Sequence, residues 1–176
     1  MRTLIPLLAA AALAIIAPAT AMCAPTPQAT GSTAARRPIG PRAFMPDAAA
    51  SRIVSVSRTG AARVHLVIAT QAIAVKENGP RQTVKRFGEV YAFSPASILV
   101  HQNQPTMITF WNLQPDDQHD FSIVDAKGKP LMDLPLAPLS RTSFIFTFHR
   151  PGIFQFRCLV HQPAMSGQIL VLPPAE

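Results

Sequence analysis

From Arg52 onward the apolar positions come in short runs of β-branched and aromatic residues separated by turn chemistry, which is the texture of a β protein. Strands are predicted at 53–57, 64–68, 73–75, 90–93 with 98–100, 106–111, 119–124, 143–148, 152–158 and 168–172. Between them fall Asn78-Gly79-Pro80, Asn103-Gln104-Pro105, Gln114-Pro115-Asp116-Asp117, Lys127-Gly128-Lys129-Pro130 and Arg150-Pro151-Gly152, all turn or loop signals. Nothing reads as a long amphipathic helix, and no internal repeat is visible. Many short strands at this spacing predict an antiparallel sandwich or barrel.

Side chains two apart on a strand share a face. Phe144, Phe146 and Phe148 therefore fall together, as do Phe154, Phe156 and Cys158, and likewise His119, Phe121 and Ile123. Cys158 should end a strand with an aromatic inner side, and His119 should begin one with an apolar inner side. Both are then expected at a pole of the sandwich, pointing inward.

Upstream of this region the pattern changes. Residues 1–21 combine a positive start, an apolar stretch from Leu4 to Ala17 and the small-residue pattern Ala19-Thr20-Ala21, which reads as a signal peptide cleaved after Ala21. The stretch contains Pro6 and is shorter than the roughly 20 apolar residues of a membrane span. Residues 22–50 are rich in Pro, Ala and Thr without apolar period and read as a disordered linker, leaving 51–176 as the domain. The expected location is periplasmic or otherwise exported. Membrane attachment would require lipidation at Cys23, and the preceding Met22 disfavours it.

The 176 residues are 48% hydrophobic, enough for a real core. The formal charge is +7, but no basic run is interleaved with base-stacking aromatics, so nucleic acid is discounted. Arg2, Arg36, Arg37 and Arg42 precede the domain, which itself carries twelve basic and eight acidic side chains. That surplus weakly favours an acidic redox partner.

An exported chain normally pairs its cysteines, and this one has two, Cys23 and Cys158. A disulfide between them is one reading, although Cys23 stands beside the cleavage site. A metal is the other, and the segment Cys158-Leu159-Val160-His161-Gln162-Pro163-Ala164-Met165 favours it. It places a thiolate, an imidazole and a thioether in one loop, the donor mixture that suits a copper ion cycling between Cu(I) and Cu(II). His119 supplies a second imidazole from the other inward-facing strand end. Singly, a strand-end Cys is more often a small buried hydrophobe and a Met core filler; in this order and parity they point to copper. His65 and His101 read as solvent-facing strand or turn residues, His149 precedes a Pro-Gly turn, and Met107 and Met132 read as packing.

His119 in Gln118-His119-Asp120-Phe121-Ser122-Ile123, the Cys-His-Met loop some forty residues later and a final short strand together resemble the cupredoxin family. Tyr91-Ala92-Phe93-Ser94-Pro95 and Ile108-Thr109-Phe110-Trp111-Asn112 are also similar to strands of the cupredoxin domain of cytochrome oxidase subunit II. The resemblance covers about 88–173 and leaves 52–87 unaccounted for. It implies a Greek-key sandwich in which His119, Cys158 and His161 are equatorial ligands of one copper ion and Met165 the axial one. No second cysteine stands in the loop, so the site is expected to be mononuclear. Asp120 occupies a position where many small blue copper proteins carry an Asn that braces the cysteine loop. The implied function is one-electron transfer, not catalysis, to redox partners docking near His161 across Leu159, Val160, Pro163 and Ala164. Copper storage or delivery, a red-copper-like site for a small molecule, and a metal-free Ig-like domain are the rivals.

Overall fold

The computed structural model describes residues 44–161 and 163–174. Residues 1–21, read as a leader, Cys23 and most of the stretch read as linker lie outside the described residues. Ten strands follow in order: β1 (Val54–Ser57), β2 (Val64–Ala74), β3 (Val90–Ser94), β4 (Ser97–His101), β5 (Thr106–Asn112), β6 (His119–Val124), β7 (Pro130–Leu136), β8 (Ser140–Phe148), β9 (Gly152–Arg157) and β10 (Ser166–Leu172). One short helix, α1 (Arg81–Phe87), joins β2 to β3. Among the described residues no helix is long and apolar enough to cross a membrane.

The strands form two five-stranded sheets, β1-β8-β5-β2-β3 and β4-β10-β9-β6-β7. The expectation of a wholly antiparallel arrangement is corrected here: β2 pairs with β5, and β4 with β10, in parallel. Between the sheets the inward residues lock into one core. Phe121 is its hub, with ring centroids 4.6 Å from Phe110, 4.8 Å from Phe156 and 5.8 Å from Phe93. Such offset and edge-on contacts add to the stabilisation from buried area. The parity reading holds, since Phe144, Phe146, Phe148, Phe156 and Cys158 are all buried. On β6, however, Asp120 and Ser122 are buried as well, so both faces of this strand are covered.

Three elements differ from expectation. The strand anticipated at 73–75 is the end of a longer β2, whose pairing with β3 is interrupted between Ala72 and Ala74, leaving Ile73 exposed. Strand β7 was not among the expected strands, and its first residue, Pro130, stood in the Lys127-Gly128-Lys129-Pro130 turn signal. Pro130 opens the strand, and Pro135 shares the outward direction of Asp133, whose backbone bonds Phe44 rather than β6, so its missing N–H removes no bond to β6. Phe44, within the stretch read as linker, thus already bridges the sheet. Helix α1 follows Pro80 and ends at Gly88, whose φ of 78° suits glycine. None of its residues is buried, so it leaves no apolar periodicity to read.

Candidate metal centre

Strand β6 begins at His119 and β9 delivers Cys158 one residue past its end, so neighbouring strands of one sheet bring both to the same pole. The loop to β10 closes tightly: the Cys158 amide donates to the Met165 carbonyl at 2.9 Å, and the Met165 amide to the His161 carbonyl at 3.2 Å. His119, Cys158 and Met165 are fully buried, and His161 is half-buried. One ligand atom from each of His119, Cys158 and His161 lies within 4.8 Å of the others. The two Nδ1 atoms are 3.0 Å apart, and Cys158 Sγ is 3.6 Å from His161 Nδ1.

These spacings fit a bound ion. Metal–imidazole and metal–thiolate bonds of about 2.1 and 2.3 Å meeting near 110° span about 3.6 Å. The two Nδ1 atoms at 3.0 Å make a hydrogen bond in which one ring donates and the other accepts, and the same spacing suits two imidazoles sharing a cation. Met165 comes to the same loop, with its backbone paired to Cys158 and His161.

A buried polar network holds His119 from behind. Its Nε2 lies 3.2 Å from Gln114 Oε1, which fixes the Nε2–H tautomer and turns the Nδ1 lone pair to the cluster. Thr70 Oγ1 donates to Gln114 Oε1 and lies 3.1 Å from Asn112 Oδ1, while the Gln114 amide donates to Asn112 Oδ1 at 3.1 Å. Asn112 Nδ2 in turn donates to the Asp117 and Leu136 carbonyls at 2.8 and 3.0 Å. Tyr91, the single tyrosine of the chain, packs its ring 4.8 Å from His119 and 4.7 Å from His161 and donates its hydroxyl to Asp117.

Electrostatics follow from this burial. Desolvation, then the neighbouring His161, holds His119 down to about 4, with Asp117 opposing. Burial and then the Asp120 carboxylate push the Cys158 thiol up to about 12. Asp120 is itself raised, chiefly by burial and next by Asp133. Its Oδ1 accepts the Leu159 amide at 2.7 Å, and its Oδ2 lies 3.8 Å from Cys158 Sγ.

The fold is a sandwich of two five-stranded mixed sheets. No protein-family model and no curated protein matches the chain. Among solved structures it is similar to auracyanin B (14% identity, TM-score 0.49, 69% of this chain and 99% of that one). It is also similar to auracyanin A, a "blue" copper protein from Chloroflexus aurantiacus (18%, 0.45, 61% and 98%). A third likeness is to copper nitrite reductase from Nitrosomonas europaea (17%, 0.44, 62% and 41%). At these identities and scores the likenesses say nothing of this chain's ligand, activity or partners. The two-sheet sandwich carries a His–Cys–His group able to hold a metal ion.

His119, Cys158 and His161 meet, then, as the sequence suggested, and Met165 closes their loop. Thr70, Asn112, Gln114, Tyr91 and Asp117 were not singled out. The only available signals were that Gln114 and Asp117 share a turn with Asp116 and that Tyr91 is unique in the chain. His65 is exposed on β2 and Met132 is buried, as expected, while Met107 is only half-buried.

Proposed function

We propose that this chain is an exported, mononuclear copper protein that carries one electron at a time. His119 Nδ1, Cys158 Sγ and His161 Nδ1 would hold the ion, with Met165 as a weaker fourth ligand. The observation that carries the reading is the convergence of those three donor atoms within 4.8 Å at a buried pole. Bound copper would supply reversible Cu(II)/Cu(I) chemistry at a soft-sulfur, two-imidazole site.

The chain's own part is to keep the donors in place. Gln114 orients His119, Asp120 pins the Cys158–Leu159 peptide, and Tyr91 walls off both imidazoles from one side. Little then has to move when the charge of the site changes. His161 is the least buried of the donors, so partners would dock over it, against Leu159, Pro163 and Ala164. Export rests on the leader pattern at 1–21, and a membrane association would depend on lipid at Cys23.

The test is the visible and paramagnetic resonance spectrum of the Cu(II)-loaded domain beside Cys158→Ser. An intense thiolate-to-copper band with narrowed hyperfine splitting, absent from the variant, is expected. An ordinary tetragonal signal unchanged by the variant would remove the electron-carrier reading and leave copper handling.

A further inference from the structure

The segment the family resemblance leaves unaccounted for ends in a basic surface at the metal pole. The β2–β3 connection leaves β2 at Ala74 and enters β3 at Val90, one residue before Tyr91, whose ring lies against both His119 and His161. Helix α1 lies within this connection. It carries Arg81, Lys85 and Arg86, has no acidic residue and buries none of its side chains. Among the described residues no ion pair involves these three cations, whereas nearby Lys76 pairs with Glu89 at 3.7 Å. Phe87 at the helix end is 70% exposed, with the Arg86 guanidinium 5.4 Å from its ring centroid. A pocket of about 350 Å³ between this connection and the Leu113–Asp116 loop is lined in part by Glu77, Tyr91, Gln114 and Asp116.

From this we infer that α1 is a docking element for an acidic protein surface, placed to bring a redox partner to the metal pole. Three exposed cations on one short helix, one of them beside an exposed aromatic ring, make a patch whose complement is a cluster of carboxylates. Charges at such a rim act mainly on encounter rate and its salt dependence. A protein is favoured over an anionic lipid surface because Glu77 and Asp116 line the adjoining pocket. A uniformly anionic sheet would repel those carboxylates, while a structured partner can match both signs. The inference rests on the electron-carrier reading for its purpose, though not for its test. In the transfer it would serve, a partner's Fe(II) haem would give one electron to bound Cu(II), leaving Fe(III) and Cu(I), with no bond made or proton moved.

Docking is read first in the metal-free full chain, by titrating an acidic c-type cytochrome and following backbone amide shifts at low salt. Shifts should concentrate on 81–89 and fade as the ionic strength rises past about 0.15 M, where the Debye length is near 8 Å. They should be absent with a basic c-type cytochrome and in Arg81→Glu/Lys85→Glu/Arg86→Glu. With copper bound, stopped-flow reduction by the acidic cytochrome should slow roughly tenfold or more in that variant, with the copper spectrum unchanged. The milder triple Gln variant provides the same comparison if charge reversal disturbs folding. Equal shifts with either cytochrome, or shifts that survive the substitutions, would overturn the inference. So would binding to phosphatidylglycerol vesicles, lost in the variant, without response to the acidic cytochrome. A negative titration beside an intact blue-copper spectrum removes the docking inference alone, and absence of the spectrum beside a positive titration removes only the copper reading.

Discussion

The backbone amide of Leu159 donates to Asp120 Oδ1 at 2.7 Å, so a carboxylate from β6 pins the loop that carries Cys158 and His161. The same carboxylate stands 3.8 Å from Cys158 Sγ and helps to raise its pKa. Bracing and charge can be separated. Asp120→Asn keeps an oxygen acceptor for the Leu159 amide and removes the negative charge. Asp120→Ala removes both and leaves a buried donor unpaired, costing about 1–3 kcal/mol. The Asn variant should unfold near the wild-type denaturant midpoint and show a higher copper reduction potential in voltammetry. The Ala variant should unfold early. An unchanged potential in the Asn variant would mean that the carboxylate is neutral in the metal-bound protein.

Gln114 acts on the metal only through His119. Its replacement by Ala frees His119 to rotate or change tautomer, and outer-shell losses of this kind typically lower metal affinity about 10–100-fold. Competition with a Cu(I) chelator should register that loss. Because the residue also belongs to the Thr70–Asn112 network, imidazole proton resonances of the metal-free protein provide the separating readout. His119 should lose its single slowly exchanging Nε2–H signal in Gln114→Ala, while the amides of β2 and β5 keep their protection. Loss of protection across both strands would assign Gln114 a purely structural role.

Much of this site was legible because strand parity is a strong constraint. Once Phe121 and Phe156 face inward, His119 and Cys158 must do so at the ends of the same strands, and the two meet because β6 and β9 are hydrogen-bonded neighbours. The elements that escaped reading lack such a constraint. Strand β7 owes its place to an outward-facing Pro135, and α1 has no apolar face to give a period. Gln114 and Thr70 meet only because β2 and β5 run parallel, an adjacency that local pattern does not encode. Tyr91 could be assigned to a strand, but its contact with two histidines depends on packing between the sheets.

The start of β10 tests how tightly the loop is held. A Cβ at Gly167 would overlap the Ala96 carbonyl oxygen and the edge of the Phe156 ring. Phe156 stands two residues before Cys158 and is fully buried against Phe121, so it has no room to retreat. Gly167→Ala should therefore lower stability by about 1–3 kcal/mol or more, the usual range for overpacking. It should also broaden the copper charge-transfer band, because the displaced ring moves the strand that presents the thiolate. Urea unfolding and the visible spectrum check the two effects, and a wild-type midpoint would mean that β4 shifts freely away from β10.

The buried thiol sets a pH limit on the metal-free protein. Its pKa rises from 9.0 to about 12, by burial first and the Asp120 charge second. The folded chain therefore keeps a proton that the unfolded chain sheds above pH 9. A raised pKa of this kind contributes stability that is fully present below the unfolded value and is lost as pH climbs through the folded one. Urea midpoints of the metal-free wild type should thus begin to decline near pH 9 and go on declining toward pH 12. Cys158→Ser should decline less, since it lacks the buried thiol and shares every other group with the wild type. Binding of a cation to the thiolate reverses the sign: the proton must leave for the metal to bind, so affinity increases with pH over the range in which the stability of the empty fold falls. Parallel curves for wild type and Cys158→Ser would show that water reaches the thiol in the metal-free fold and that burial does not set its proton affinity.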